Sequence, residues 1–362
     1  MPVSTKASNG SGPPTPRPKG PPAPRIQDQP LSLTNPASWI PYLQLMRLDR
    51  PAGFIGFYMP SILGLVYAAS LAGPETVPMR QLLTQGIFWL VANILIRGAA
   101  CTWNDNLDQE YDRQVDRCRG RPIARGAVST QQAHVFLALQ LALLGRLFHP
   151  LLSFSSKQTP SANAAYAAAA MGALYALYPF CKRFTHYPQA ILGVPLALAI
   201  VLSAYSVVGD SPQGEDARSK RGDPFRDRPT TAATLALALA EILWTMIYDT
   251  IYAHQDLQDD LRAGVKSMAV RFRHSTKPLC AALGVGQVAL LACAGVWTHM
   301  PPVYFVVGVA GSAVALVVML VSVDLAVPAS CARWFKLGFC FVGGCMNCGF
   351  FAAYLVRWFG WA

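Results

Sequence analysis

Asn104, Asp108 and Asp112 recur every fourth residue, and Asp256 and Asp260 repeat that step in a second stretch that opens at Asp249, roughly 145 residues after Asn104. On a helix such a step keeps three side chains within a stripe of roughly 80°. Asp249 and Tyr252 fall on the same face as Asp256, one to two turns earlier. Grouped carboxylates beside an amide suit an oxygen-ligated divalent cation. Mg2+ prefers one or two carboxylates plus waters and substrate phosphates to an all-protein cage. Two acidic stripes facing each other therefore suit a diphosphate carried on metal ions. A solvated, charged helix end accounts for either stretch alone, but not for two with matching spacing.

The elements that must carry these residues are apolar. The 362 residues are 53% hydrophobic and only 14% charged, with a mean hydropathy of +0.31, which is too apolar for a soluble domain of this length. Runs near 54–73, 83–102, 131–152, 161–181, 188–208, 231–251, 278–298, 302–323 and 336–357 predict nine spans. Their Ala, Leu, Val and Gly suit closely packed helices, whereas barrel strands would be about half as long and alternate in polarity. The predicted fold is all-α, a polytopic membrane bundle of about nine transmembrane helices. The spans at 131–152 and 161–181 carry the weakest signal, because Arg146 and His149 interrupt the first and polar residues open the second.

An odd number of spans puts the two ends on opposite sides of the bilayer. On the amino-terminal side fall Arg47, Arg50, Arg113, Arg117, Arg119, Arg121, Arg125, Lys182, Arg183, Arg262, Lys266, Arg271, Arg273, Lys277, Arg333 and Lys336. The basic side is expected to be cytosolic. Both acidic stretches share it, since 104–112 follows the second span and 249–260 closes the sixth. Topology thus accounts for much of the formal net charge of +11, and a nucleic-acid partner is not required. Arg97, about two turns before Asn104, reads as a cation snorkelling to the interface.

Residues 1–38 are rich in Pro, Ser, Gly and Thr and are expected to form a disordered cytosolic tail. Their prolines oppose the amphipathic helix of a mitochondrial presequence. Residues 39–362 are expected to form one transmembrane domain, with 209–230 a solvated loop insertion in which five basic residues are matched by five acidic ones. The nine cysteines show no zinc or disulfide spacing. Cys340, Cys345 and Cys348 lie among glycines in the ninth span and read as small packing residues.

At Asn104-Asp105-x-x-Asp108-x-x-x-Asp112 and Asp249-x-x-Tyr252-x-x-Gln255-Asp256-x-x-Asp259-Asp260 the chain resembles the UbiA superfamily of intramembrane aromatic prenyltransferases. The likeness extends through Arg119-Gly120-Arg121-Pro122-Ile123-Ala124-Arg125-Gly126, Tyr178-Pro179-Phe180-Cys181-Lys182-Arg183 and Gly264-Val265-Lys266-Ser267, and covers about residues 40–358. It implies a nine-helix bundle open laterally to lipid, a Mg2+-bound polyprenyl diphosphate, and a phenolic aromatic acceptor in a cytosolic-side cavity. Carried onto this chain, Asn104, Asp108, Asp112, Asp256 and Asp260 hold metal, and Asp105 and Asp259 support them. Arg47 and Lys182, followed by Arg121, Arg183 and Lys266, meet the diphosphate. Tyr178 and Tyr252 face the allylic cation, while Asp249 orients Tyr252 or accepts a proton. Trp103, Tyr175, Trp244 and Tyr248, also near the motif ends, read as an interfacial aromatic belt.

Within the superfamily, Tyr248 to Asp256 resembles the 4-hydroxybenzoate polyprenyltransferases of ubiquinone synthesis, which implies the mitochondrial inner membrane. Tyr111 to Arg119 and Arg121 to Ser129 look more like fungal enzymes that prenylate polyketide phenols to meroterpenoids. The expectation favours the latter: Mg2+-dependent transfer of a farnesyl group to an aromatic carbon of an orsellinic-acid-like phenol, at the endoplasmic reticulum. An ion-coupled transporter is the alternative from another class, and it would place acids deep in the spans rather than at their ends.

Overall fold

The computed structural model describes residues 36–115, 117–152, 162–208 and 227–361. All but the last three residues of the expected tail, which open a short helix at Pro36–Trp39, and most of the expected 209–230 insertion lie outside these residues. Among the described residues all regular structure is helical. A short helix α1 (Ile40–Leu45) leads into α2 (Pro51–Ala72), α3 (Met79–Asp112), α4 (Thr130–Leu152), α5 (Ala162–Phe184), α6 (Pro188–Val208) and α7 (Arg228–Ala253). Two short helices, α8 (Leu257–Ala263) and α9 (Met268–Arg271), precede α10 (Thr276–Trp297), α11 (Pro302–Ser322) and α12 (Pro328–Trp358).

Seven of these helices are long and apolar enough to cross a membrane, and the chain is a multi-pass membrane protein. The two long helices that fall short are α4 and α5, the pair whose polar interruptions weakened the sequence signal. The outer surface is apolar, with Ile87, Val285, Val306 and Val321 all more than 60% exposed, as a lipid-facing exterior requires.

Pro51 starts α2 at the position where its missing N–H costs nothing, and Gly73 ends it at φ +78. Asp227, counted in the sequence with the insertion, caps α7 by accepting the Thr230 N–H at 2.8 Å. Inside the bundle, α7 packs on α6 and α10, and α2 packs on α6 and α12. Gly64 makes one close approach possible, because a Cβ there would lie 2.1 Å from the Ile200 carbonyl oxygen on α6. Buried polar groups pair between helices, as they must in lipid. Trp89 donates to Ser206, Asn93 to Ser61, and Tyr354 to the Val77 carbonyl.

The property of α3 that matters most for function is its length. Its 34 residues make about 51 Å of helix against about 30 Å of hydrocarbon. The span predicted at 83–102 continues without a break through the acidic stretch, so the stripe is carried on a rigid extension at the bundle end.

Candidate functional site

The ends of α3, α5 and α7 meet the α1–α2 corner and the start of α12 around a cavity of about 760 Å³. Its polar mouth holds Asn104, Asp105, Arg47, Arg117, Arg121, Lys182, Asp249, Asp256, Asp260 and Lys266. The rest of its wall is largely apolar and includes the aromatic side chains Phe57, Tyr175, Tyr178, Tyr248, Tyr252, Phe335 and Phe339. Two motifs remote in sequence therefore share one chamber.

The first acidic stretch is buried and locked. Asp105 is 1% exposed and accepts from Arg47 Nη2 at 2.6 and 2.8 Å and from Arg121 Nη1 at 3.2 Å. Asp112 takes the same Arg121 nitrogen at 2.8 and 2.7 Å. Asp108 stands 3.8 Å from Lys182 Nζ. Asp108 and Asp112 lie behind the cavity wall, whereas Asp105, expected only to support the metal residues, faces the cavity.

Arg47 is presented by an uncommon backbone. Its φ is +58, a left-handed conformation that a bulky residue adopts only when its surroundings enforce it. The enforcing group is Arg97, which donates to the Arg47 carbonyl at 2.8 Å and to the Arg50 carbonyl at 2.9 Å. Arg97 is 6% exposed, so it does not snorkel. Gly53 makes room for it, since a Cβ there would lie 2.8 Å from Arg97 Nη2.

The second acidic stretch is looser. Arg117, from the turns between α3 and α4, grips Asp256 with Nε at 2.8 and 3.0 Å and Nη2 at 2.5 Å. Its Nη1 donates to Tyr252 Oη at 2.9 Å. Burial opposes the Arg117 charge, but the Asp256 hydrogen bond and the neighbouring Tyr252 outweigh it and hold the guanidinium pKa above its ordinary value. Arg121, more deeply buried, is likewise held up by Asp105 and Asp112.

The remaining expected residues divide. Tyr178, Tyr252 and Asp249 face the cavity, and Lys182 Nζ lies 5.9 Å from the Tyr178 ring centroid. Arg183 turns outward onto the Tyr111 and Phe180 rings. Asp259 pairs with Arg262 at 3.6 Å, and neither lines the cavity. Of the aromatic residues read as a belt, Tyr175 and Tyr248 line the cavity, while Trp244 belongs to the core. Trp103 faces a separate apolar groove of about 550 Å³ between α3, α4 and α5, and that groove shares Ala100 and Tyr175 with the cavity.

Among the described residues, no three His, Cys, Asp or Glu side chains stand together as a metal cluster. The donor set nevertheless fits Mg2+. It is made of hard oxygen atoms, and two of the aspartates that line the cavity, Asp105 and Asp256, already hold a cationic partner from the chain itself. Arg117 and Arg97 carried no functional signal in the sequence. Arg117 sits in a run of arginines that topology alone explains, and nothing in spacing links it to Asp256, 139 positions away.

A family profile described as the UbiA prenyltransferase family matches residues 57–343. The chain is 40% identical over 285 residues to prenyltransferase ascA of Acremonium egyptiacum, covering 79% of this chain and 77% of that one. It is 33% identical over 299 residues to the mitochondrial 4-hydroxybenzoate polyprenyltransferase of Schizosaccharomyces pombe, covering 82% and 75%. Its fold matches a UbiA homologue from Archaeoglobus fulgidus, solved bound to GPP and Mg2+, with a TM-score of 0.59 and 18% identity over 87% of this chain and all of that one.

Proposed function

The chain belongs to the UbiA prenyltransferase family and transfers prenyl groups to aromatic acceptors, and on that premise we propose that the cavity mouth binds a Mg2+–prenyl diphosphate and the aromatic chamber below it holds the phenol. The observation that carries this is the convergence of two acidic stretches and eight basic side chains on one cavity whose wall is aromatic. The A. fulgidus homologue bound to GPP and Mg2+ supports the same ligand class.

Asn104, Asp256 and Asp260, which line the cavity, would hold the metal directly and Asp108 and Asp112, behind its wall, through water, with Asp105 supporting them from the cavity face and Asp259 outside it. When bound there, Mg2+ neutralises charge on the departing diphosphate. Arg47, Lys182, Arg121 and Lys266 supply N–H donors where that charge grows as the allylic C–O bond breaks and the diphosphate leaves with the electron pair; Arg183, turned outward onto the Tyr111 and Phe180 rings, stands outside the cavity. The faces of Tyr178 and Tyr252 stabilise the allylic carbocation. The electron-rich ring carbon then forms the new C–C bond. Asp249, one turn before Tyr252 and facing the cavity, is placed to take the ring proton that substitution releases.

The finer assignment is a farnesyl donor and a phenolic polyketide acid acceptor in a fungal meroterpenoid route, at the endoplasmic reticulum with the amino terminus and site cytosolic. Residues 39–362 act as the catalytic unit, 1–38 as a tail and 209–230 as an insertion. Higher identity to ascA than to the S. pombe enzyme supports this pathway. The second reading, 4-hydroxybenzoate prenylation in mitochondria, draws on that S. pombe relative. Membranes incubated with Mg2+, a panel of prenyl diphosphates and several phenolic acids, with products identified by mass, separate the two. Turnover retained by Asp108→Ala or Asp256→Ala would refute the metal–diphosphate site itself.

A further inference from the structure

Arg117, carried on the turns just beyond the first acidic stretch, pairs with the second, and its contacts are those of a cation filling a carboxylate site. Both Asp256 oxygens accept from its Nε and Nη2, and the guanidinium carbon lies 5.3 Å from the Tyr252 ring centroid. Its tether differs from that of Arg121. The Arg121 side chain is 15% exposed and is held by two aspartates of α3, a helix only nine residues upstream. Both arginines ride on the turns between α3 and α4, but the Arg117 side chain is 31% exposed and its carboxylate partner lies 139 positions away, just beyond α7.

We propose that Arg117 is an exchangeable counterion: it and a divalent cation are mutually exclusive partners of Asp256, so the metal gains a full hold on that carboxylate only when a diphosphate takes over the guanidinium. The inference rests on the metal–diphosphate function proposed above and adds an order to it. A guanidinium fork and a divalent cation on one carboxylate repel each other in a partly buried site. The same fork pairs equally well with phosphate oxygens, so a diphosphate in the mouth gives Arg117 somewhere to go. Metal alone must expel Arg117 into no better contact, and diphosphate alone meets unscreened aspartates. Together each ligand supplies the other's missing partner, which is positive coupling between two ligands at one mouth. The arrangement would keep the site from filling with metal that carries no substrate.

The test is Mn2+ binding to the full chain in nanodiscs, read from the free-ion EPR signal, with and without a non-cleavable farnesyl thiodiphosphate. In the wild type the thiodiphosphate should tighten Mn2+ binding by a factor within the usual range of about 5–150. Arg117→Gln should bind Mn2+ alone about tenfold more tightly than wild type, and the tightening should shrink by the same factor. Arg117→Lys, which keeps the charge without the fork, should fall between them. In an Asp256→Asn background, Arg117→Gln should no longer change Mn2+ affinity. Equal or weaker Mn2+ binding by Arg117→Gln, with coupling intact, would make Arg117 a structural staple and overturn the inference while leaving the function standing. No Mn2+ binding by the wild type in the presence of thiodiphosphate would overturn both.

Discussion

The two acidic stretches look alike in sequence and behave differently in the structure. On α3, Asp105 and Asp112 are 1% and 6% exposed and are clamped by Arg47 and Arg121, a closed network in which no partner can leave without stranding a buried charge. Around the end of α7, the Asp256 side chain is 15% exposed and depends on one arginine, while Asp259 is 34% exposed and paired at the rim. Equal spacing thus conceals unequal tasks. The α3 stretch fixes where the basic side chains point, and the stretch beyond α7 is free to change partners.

Substitutions can break this contrast. The largest effect expected is on turnover: Asp256→Asn should lower prenyl transfer by about 10³-fold, the scale of a lost electrostatic group at a reacting centre, with little change in thermal stability. Asp105→Asn should do the reverse in kind. By leaving Arg47 and Arg121 without their shared carboxylate it should cost about 3–5 kcal/mol of stability, measured as thermal unfolding in detergent. If both variants lost activity at unchanged stability, the two stretches would be equivalent and the contrast would fail.

Arg97→Met sharpens the same division at smaller scale. It removes two hydrogen bonds from a cation to backbone carbonyls, and about 1–3 kcal/mol of stability should go with them. The released Arg47 corner should raise the KM for the diphosphate more than it lowers kcat. Asp259→Asn should do least. Its partner Arg262 is 79% exposed at 3.6 Å, so stability should move by under about 1 kcal/mol and turnover should hardly change, as steady-state assays would show. A strong loss of activity there would extend the working part of the second stretch to the rim.

Much of this was legible in the sequence because periodicity reports faces and composition reports solvent. The four-residue step put Asn104, Asp108 and Asp112 on one side of α3, and the polar interruptions in α4 and α5 marked those two helices as the weaker spans. Periodicity does not report where a face points within the bundle, and so Asp105, one position off the stripe, proves to line the cavity while Asp108 and Asp112 stand behind it. Partner choice was less legible still. Arg97 carries the same charge whether it reaches water or props a left-handed residue 50 positions away, and only the fold distinguishes the two.

The first acidic stretch also lies where its helix ends, Asp112 being the last residue of α3. Aligned peptide units leave roughly half a negative charge at such an end, so that side of the mouth is electronegative before any side chain is counted. Lys182 and Arg183, in the last turn of α5, give the matching preference for cations at a second terminus. Part of the attraction for positive charge is therefore written into backbone direction, and no exchange of aspartate for asparagine removes it.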